Sequence, residues 1–229
     1  MVPIKTKLAN KANYGCKRNV PVEFIVIHYT ANDGDTDENN GKYFANNKTG
    51  TSAHYFVDSD SITLTVPEDC IAYHCGAKTY KHAKCRNANS IGIELCDDVK
   101  NGTIYPSAKT IQNAIELTNS LIEKYKIPTK NVIRHYDVTG KLCPIYWVDN
   151  LKWKNEFWNK LKGGDDMTKD DVIKIIQEYE AEKAKHAVSD WAKPAWNKAK
   201  AKGVLNGTSP KSAVTREQIA AVLDRLNLL

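Results

Sequence analysis

No apolar run in this 229-residue chain approaches the ~20 residues that a helix needs to cross a bilayer, which excludes a helical membrane span. The amino terminus, MVPIKTKLANKANYG, lacks the apolar centre of a secretory signal, so the expectation is synthesis in a host cytoplasm and action elsewhere only after release. The six cysteines contain no CxxC pair, and a chain of this size needs no disulfide staples. Reduced, mostly buried thiols are expected for Cys16, Cys70, Cys75, Cys85 and Cys96. Dense Lys/Arg stripes are missing as well. The net charge of +6, most of it carried before residue 165, therefore suits polyanionic surroundings such as an anionic cell wall, and a nucleic-acid partner is not expected.

What is present divides in two. EFIVIHY (23 to 29) is a short apolar run that predicts a buried strand ending near His28, AHYFVDSDSITLTV (53 to 66) predicts a hairpin, and NSIGIELCDD (89 to 98) another strand. Residues 107 to 127 carry Ile111, Ala114, Ile115, Thr118, Leu121, Ile122 and Tyr125 at three-and-four spacing, an amphipathic helix that Pro128 stops. VIRHY reads as a strand and DNLKWKNEFWNKLK as a helix. Strands interleaved with helices predict an α/β domain over residues 1 to 162, built on a mixed central sheet flanked by helices. GGDDM (163 to 167) reads as a linker, and 168 to 229 as a small all-helical module. In that module Thr168 with Asp171 and Thr215 with Gln218 signal helix starts, and Gly203 ends a helix over 190 to 202.

The stretch IRHYDVTGKLCP (133 to 144) sets His135 and Cys143 eight residues apart around the turn-forming TGK. Zinc favours imidazole and thiolate, and a catalytic site uses three protein ligands with one position left for water. His28, at the end of a buried strand, is the best third ligand. A cysteine nucleophile paired with a histidine is the alternative, although in such enzymes the cysteine commonly precedes its histidine.

Five blocks in order, VIHYTA (26 to 31), SAHYFVDSDSIT (52 to 63), AYHCGAK (72 to 78), NSIGIELC (89 to 96) and RHYDVTGKLCP (134 to 144), resemble the zinc-dependent N-acetylmuramoyl-L-alanine amidases, which share a fold with peptidoglycan recognition proteins and T7-type lysozyme. The resemblance implies Zn2+ on His28, His135 and Cys143, Glu94 as the proton-transfer group, and Lys141 facing the developing oxyanion. It also implies substrate contacts from Thr30, Tyr73 and His74. It departs from the family where Tyr73 replaces the usual tryptophan and Ala53 replaces the tyrosine of the T7-type enzyme. Residues 189 to 226 resemble one S-layer homology repeat, with Trp191, Trp196 and Arg216 as contacts to a Gram-positive wall polymer, or with the two tryptophans as core of the module.

A lone repeat suggests assembly between chains. The codons of Gly163-Gly164-Asp165-Asp166 can spell GGAGGTGATGAT before the ATG of Met167, a ribosome-binding element. A second product, 167 to 229, would then join the full chain through Val172, Ile175, Ile176 and Tyr179; a plain Gly/Asp linker is the alternative. The resulting expectation is an endolysin of peptidoglycan, with a non-catalytic peptidoglycan binder, an autolysin or a muropeptide-scavenging amidase as alternatives.

Overall fold

The computed structural model describes residues 2–100, 103–162 and 169–229, so the GGDDM linker and the proposed start at Met167 lie outside the described residues. The chain divides into two compact units, 1–165 and 166–229.

The described residues of the first unit form nine strands: β1 (Ile4–Thr6), β2 (Tyr14–Lys17), β3 (Phe24–Asp33), β4 (Tyr55–Val57), β5 (Ile62–Leu64), β6 (Cys70–Ala72), β7 (Ser90–Lys100), β8 (Thr103–Tyr105) and β9 (Val132–Arg134). Its helices are α1 (Asp37–Asn46), α2 (Ala108–Tyr125), α3 (His135–Thr139) and α4 (Asn150–Glu156). Seven strands form one mixed sheet in the order β1-β5-β4-β7-β3-β9, with β8 pairing the end of β7 and β2 pairing β6 apart from it. The central strands β4, β7, β3 and β9 run parallel to one another, and β4 and β5 form the expected antiparallel hairpin.

The alternation of β3 and β7 sets two faces. Ile25, Ile27, Ile91, Ile93 and Leu95 point into the main core, where Ala114, Ile115, Leu117 and Leu121 of α2 meet them. Trp147, Trp153, Phe157 and Leu161 close the same core from the segment that follows α3. Helix α2 starts where Ser107 accepts the Thr110 N–H and ends on Lys126 in the left-handed conformation, with Pro128 beyond it. Phe24 and Val26 point to the opposite face, against Cys75, Cys85 and Val138. That second face carries the site.

Two expectations need correction. Strand β3 does not end near His28 but continues to Asp33, with an irregularity in its pairing after Tyr29. His135 is not in a strand: β9 stops at Arg134 and His135 opens α3, because Asp137 accepts the Arg134 N–H as a cap. The five cysteines outside the His135 block are free and mostly buried, as expected: Cys75, Cys85 and Cys96 are buried, Cys70 is half-buried and Cys16 is exposed.

The second unit holds α5 (Lys169–Ala184), α6 (Lys193–Ala201) and α7 (Arg216–Arg225). Thr215 and Gln218 form the reciprocal capping box that opens α7. None of residues 173–229 is buried: Trp191 is 88% exposed, and Trp196 and Ile175 are half-buried. Trp191 is thus no core residue of the module. No described helix is long and apolar enough to cross a membrane.

Candidate metal centre

Strand register assembles the site. His28 on β3 and Glu94 on β7 are direct neighbours across the parallel pair, and their flanking isoleucines and leucine face the other way into the core. On the other side of β3, Ile27 pairs with Arg134, so the next residue, His135, comes level with His28. Three side chains therefore meet on one face of the sheet, from the middle of β3 and β7 and from the residue that follows β9.

Cys143 reaches the same point by a short return of the chain. Gly140, at a φ of +85°, caps α3 in the left-handed conformation that glycine adopts without strain. The Cys143 carbonyl then accepts the Tyr136 N–H. Buried Arg134 holds this excursion together: its guanidinium donates to Asp137, to the Trp147 and Val148 carbonyls and to Asn150. The sequence reading passed over Arg134, and only its position beside His135 hints at the role.

One ligand atom each from His28, His135 and Cys143 lies within 4.8 Å of the others, and all three residues are buried. His28 Nδ1 is 3.8 Å from Cys143 Sγ and 3.9 Å from Glu94 Oε1. His135 Nδ1 and Glu94 Oε2 are buried with no hydrogen-bond partner in the protein. Two imidazoles and a thiol fit a borderline-soft cation such as zinc, and these orphaned polar atoms are where a protein-held ion and its water would find them.

Burial dominates the electrostatics. It pushes Glu94 up to about 8, partly opposed by the Lys141 charge. Desolvation, with Lys141 adding to it, lowers His135 to about 4 and takes His28 well below its ordinary value, so both imidazoles stand neutral, the state a metal requires. The Cys143 thiol is pushed up to about 12 by burial. Lys141 is exposed and borders the hollows on both sides of the centre.

One hollow, of about 650 Å³, runs past Tyr73, His74, Lys78, Thr79 and His135. The other, of about 550 Å³, runs past Thr30, Asn32, Asp35, Tyr43 and Glu94. The predicted substrate residues are thus split, with Tyr73 and His74 on one side and Thr30 on the other. The Thr30 hydroxyl donates to Asp97. His74 lines the wall, yet both of its ring nitrogens are engaged inside the protein, one with His28 and one with Ser90. Buried His54 lies under the floor, its Nδ1 accepting the Gly92 N–H. Trp191, Trp196 and Arg216 belong to the second unit.

An α/β domain that gathers two buried imidazoles, a buried thiol and a half-buried carboxyl on one face of its parallel strands defines a class, that of folds with a donor set able to hold a metal ion. The family follows from comparison: residues 18–145 match the model of the N-acetylmuramoyl-L-alanine amidases, and the chain belongs to that family. It is 39% identical over 149 residues to the N-acetylmuramoyl-L-alanine amidase CwlL of Bacillus licheniformis, covering 61% of this chain and 41% of that protein. It is 30% identical over 187 residues to XlyB of Bacillus subtilis (strain 168), covering 80% of this chain and 57% of the relative. The chain therefore spans about half the length of these curated relatives. Among solved structures, a mutant endolysin from Bacillus subtilis superposes with a TM-score of 0.59 at 29% identity, over 71% of this chain and all of that one. The catalytic domain of XlyA gives 0.58 at 28%, over 70% of this chain and all of that domain.

Proposed function

We propose that this chain is a zinc-dependent N-acetylmuramoyl-L-alanine amidase, an endolysin that hydrolyses the amide between the lactyl group of N-acetylmuramic acid and the L-alanine of the stem peptide. The observation that carries the reading is the convergence of His28, His135 and Cys143 beside the half-buried carboxyl of Glu94, on a chain of the amidase family. Those three residues would hold the zinc. When bound, it supplies a Lewis acid for the scissile carbonyl and acidifies the attacking water.

The chain's own groups supply the rest. Glu94 sits on the second face of β7 with Oε2 unengaged, placed to take the proton of water and return it to the leaving amine. Burial, which favours its protonated form, makes its carboxylate a stronger base than one in water. The Lys141 ammonium at the mouth of the centre opposes negative charge that develops on the carbonyl oxygen, an interaction stronger in the transition state than in the ground state. Tyr73, 36% exposed, offers an aromatic face to the substrate on one side and Thr30 borders the other.

The second unit is the wall-targeting part of this reading, with Trp191, Trp196 and Arg216 as its contacts to the polymer of a Gram-positive host. Of the stripe expected to join chains, Ile176 and Tyr179 are exposed and Ile175 is half-buried, which supports association through α5.

The test is digestion of purified Gram-positive peptidoglycan followed by mass spectrometry, with Glu94→Ala as control. Free stem peptides beginning with an L-alanine amine, together with glycan stripped of peptide, are expected. Cleavage within the glycan or within the stem would overturn the mechanism, and absence of products would leave a binding protein.

A further inference from the structure

His74 contributes its half-buried ring to the wall of the larger hollow, but its polar atoms face inward. Nδ1 lies 3.0 Å from His28 Nε2, and Nε2 lies 3.1 Å from the Ser90 hydroxyl. Ser90 in turn stands 2.7 Å from the carbonyl of Arg86. The polarity of this chain of bonds follows from its last member. A carbonyl oxygen only accepts, so the single Ser90 proton goes to Arg86, and Ser90 Oγ must accept from His74 Nε2–H. His74 Nδ1 then carries a lone pair and accepts from His28 Nε2–H. His28 is left with its proton on Nε2 and its lone pair on Nδ1, the atom that faces Cys143 and Glu94.

A second observation shows that the ring is held where the relay needs it. A Cβ on Gly92 would lie 2.6 Å from His74 Cγ and 2.7 Å from Nδ1, closer than carbon atoms tolerate. The glycine in the middle of β7 therefore makes room for the imidazole, which packs directly on the strand's backbone. Because the ring is bonded at both nitrogens, it cannot move aside without losing one of the two bonds. The His28 and His74 rings meet edge to face, with centroids 5.1 Å apart.

We propose that His74 is a positioning residue for the metal: with Ser90 behind it and Gly92 beneath it, it fixes the tautomer and orientation of His28 so that Nδ1 is presented as a ligand. The inference rests on the reading of His28, His135 and Cys143 as a metal centre. It gives His74 a role distinct from contact with substrate. A hydrogen bond to the far nitrogen of a ligating imidazole selects which nitrogen binds the metal, and losing such a partner typically weakens metal affinity by about 10–100-fold.

The experiment measures zinc affinity of the full chain by competition with a chromophoric chelator, alongside thermal melting of the metal-free protein. Variants are His74→Ala, His74→Asn, Ser90→Ala and Gly92→Ala. His74→Ala is expected to weaken zinc by about 10–100-fold. His74→Asn, whose Oδ1 can still accept from His28 Nε2–H, should recover much of that loss, and Ser90→Ala should show a smaller loss in the same direction. Gly92→Ala should weaken zinc while leaving every polar group of the relay in place. Nitrogen chemical shifts of His28 in the metal-free protein should report a proton on Nε2 in the parent chain and a mixture of tautomers in His74→Ala.

Equal zinc affinity across the series, with only the melting temperature lowered, would make His74 a structural residue and overturn the proposal. A proton on His28 Nδ1 in the parent would do the same. Failure of the parent to bind zinc would instead overturn the metal reading on which the proposal stands. Should His74→Ala not fold, Ser90→Ala and His74→Asn decide.

Discussion

Glu94 and His28 are register partners on adjacent parallel strands, and that pairing sets Glu94 Oε1 3.9 Å from His28 Nδ1. Two residues held by one strand pair move together, so the separation of the proposed base from the proposed ligand depends on sheet hydrogen bonds rather than on loop conformation. Replacing Glu94 with Gln preserves shape and removes the base. The expected result is a fall in kcat of about 100- to 10,000-fold, the usual contribution of a positioned general base, with zinc still bound. Steady-state hydrolysis of a soluble muropeptide together with metal analysis checks both halves of the statement.

Cys143 supplies the one sulfur donor of the cluster, and Cys143→Ser replaces it with a harder oxygen that holds zinc less well. This variant should lose zinc during dialysis against a chelator under conditions where the parent retains it. After a harsher treatment that strips both proteins, added zinc should restore activity to the parent and only in small part to the variant. Retention of metal and activity by Cys143→Ser would remove the thiol from the centre.

The parts of this site that the sequence made legible are those carried by local pattern. An apolar run followed by histidine placed His28 on a buried strand, and the TGK turn between His135 and Cys143 brought the two together. Helix α1 went unread because it has little apolar face: it buries Asp37, Asn40 and Gly41, with Ser61 and Thr63 donating to Asp37, and periodicity of hydrophobic residues is silent about such a helix. The orientation of His74 was equally invisible, since its partners lie 46 and 16 residues away. A glycine in the interior of the strand SIGIEL was the one available hint of a close approach. The helix starts of the second unit were legible from Thr215 and Gln218, whereas the exposure of Trp191 depends on contacts that no local pattern encodes.

Away from the centre, Glu68 ties the hairpin side of the domain to the end of α2. Burial pushes its carboxyl up, but hydrogen bonds from Tyr125, Tyr55 and Lys124 outweigh that and hold it below its ordinary value of 4.5. A carboxyl whose folded pKa is depressed adds stability above its unfolded pKa, and that stability disappears as pH falls through the folded value. The parent should therefore melt higher than Glu68→Gln at pH 7, and the gap should narrow below pH 4.5 and close once the carboxyl is protonated in both states. A gap that is independent of pH would assign the effect of Glu68 to packing.

Trp191 offers the cleanest separation of binding from folding. At 88% exposed it belongs to no core, and none of residues 173–229 is buried, so truncation opens no cavity. Surface substitutions free of such features usually change stability by about 0.5 kcal/mol or less. A large exposed aromatic is, however, the kind of side chain that anchors a partner, and loss of such an anchor commonly costs about 2 kcal/mol or more of binding. Trp191→Ala should therefore leave the thermal transition in place and reduce co-sedimentation with Gram-positive cell walls about 30-fold, the ratio that corresponds to 2 kcal/mol. Activity on soluble muropeptides, which the first unit would process without a wall anchor, should stay at the parent level. Unchanged sedimentation would move the wall contact to Trp196 and Arg216, and a fall in soluble activity would show that the second unit takes part in catalysis.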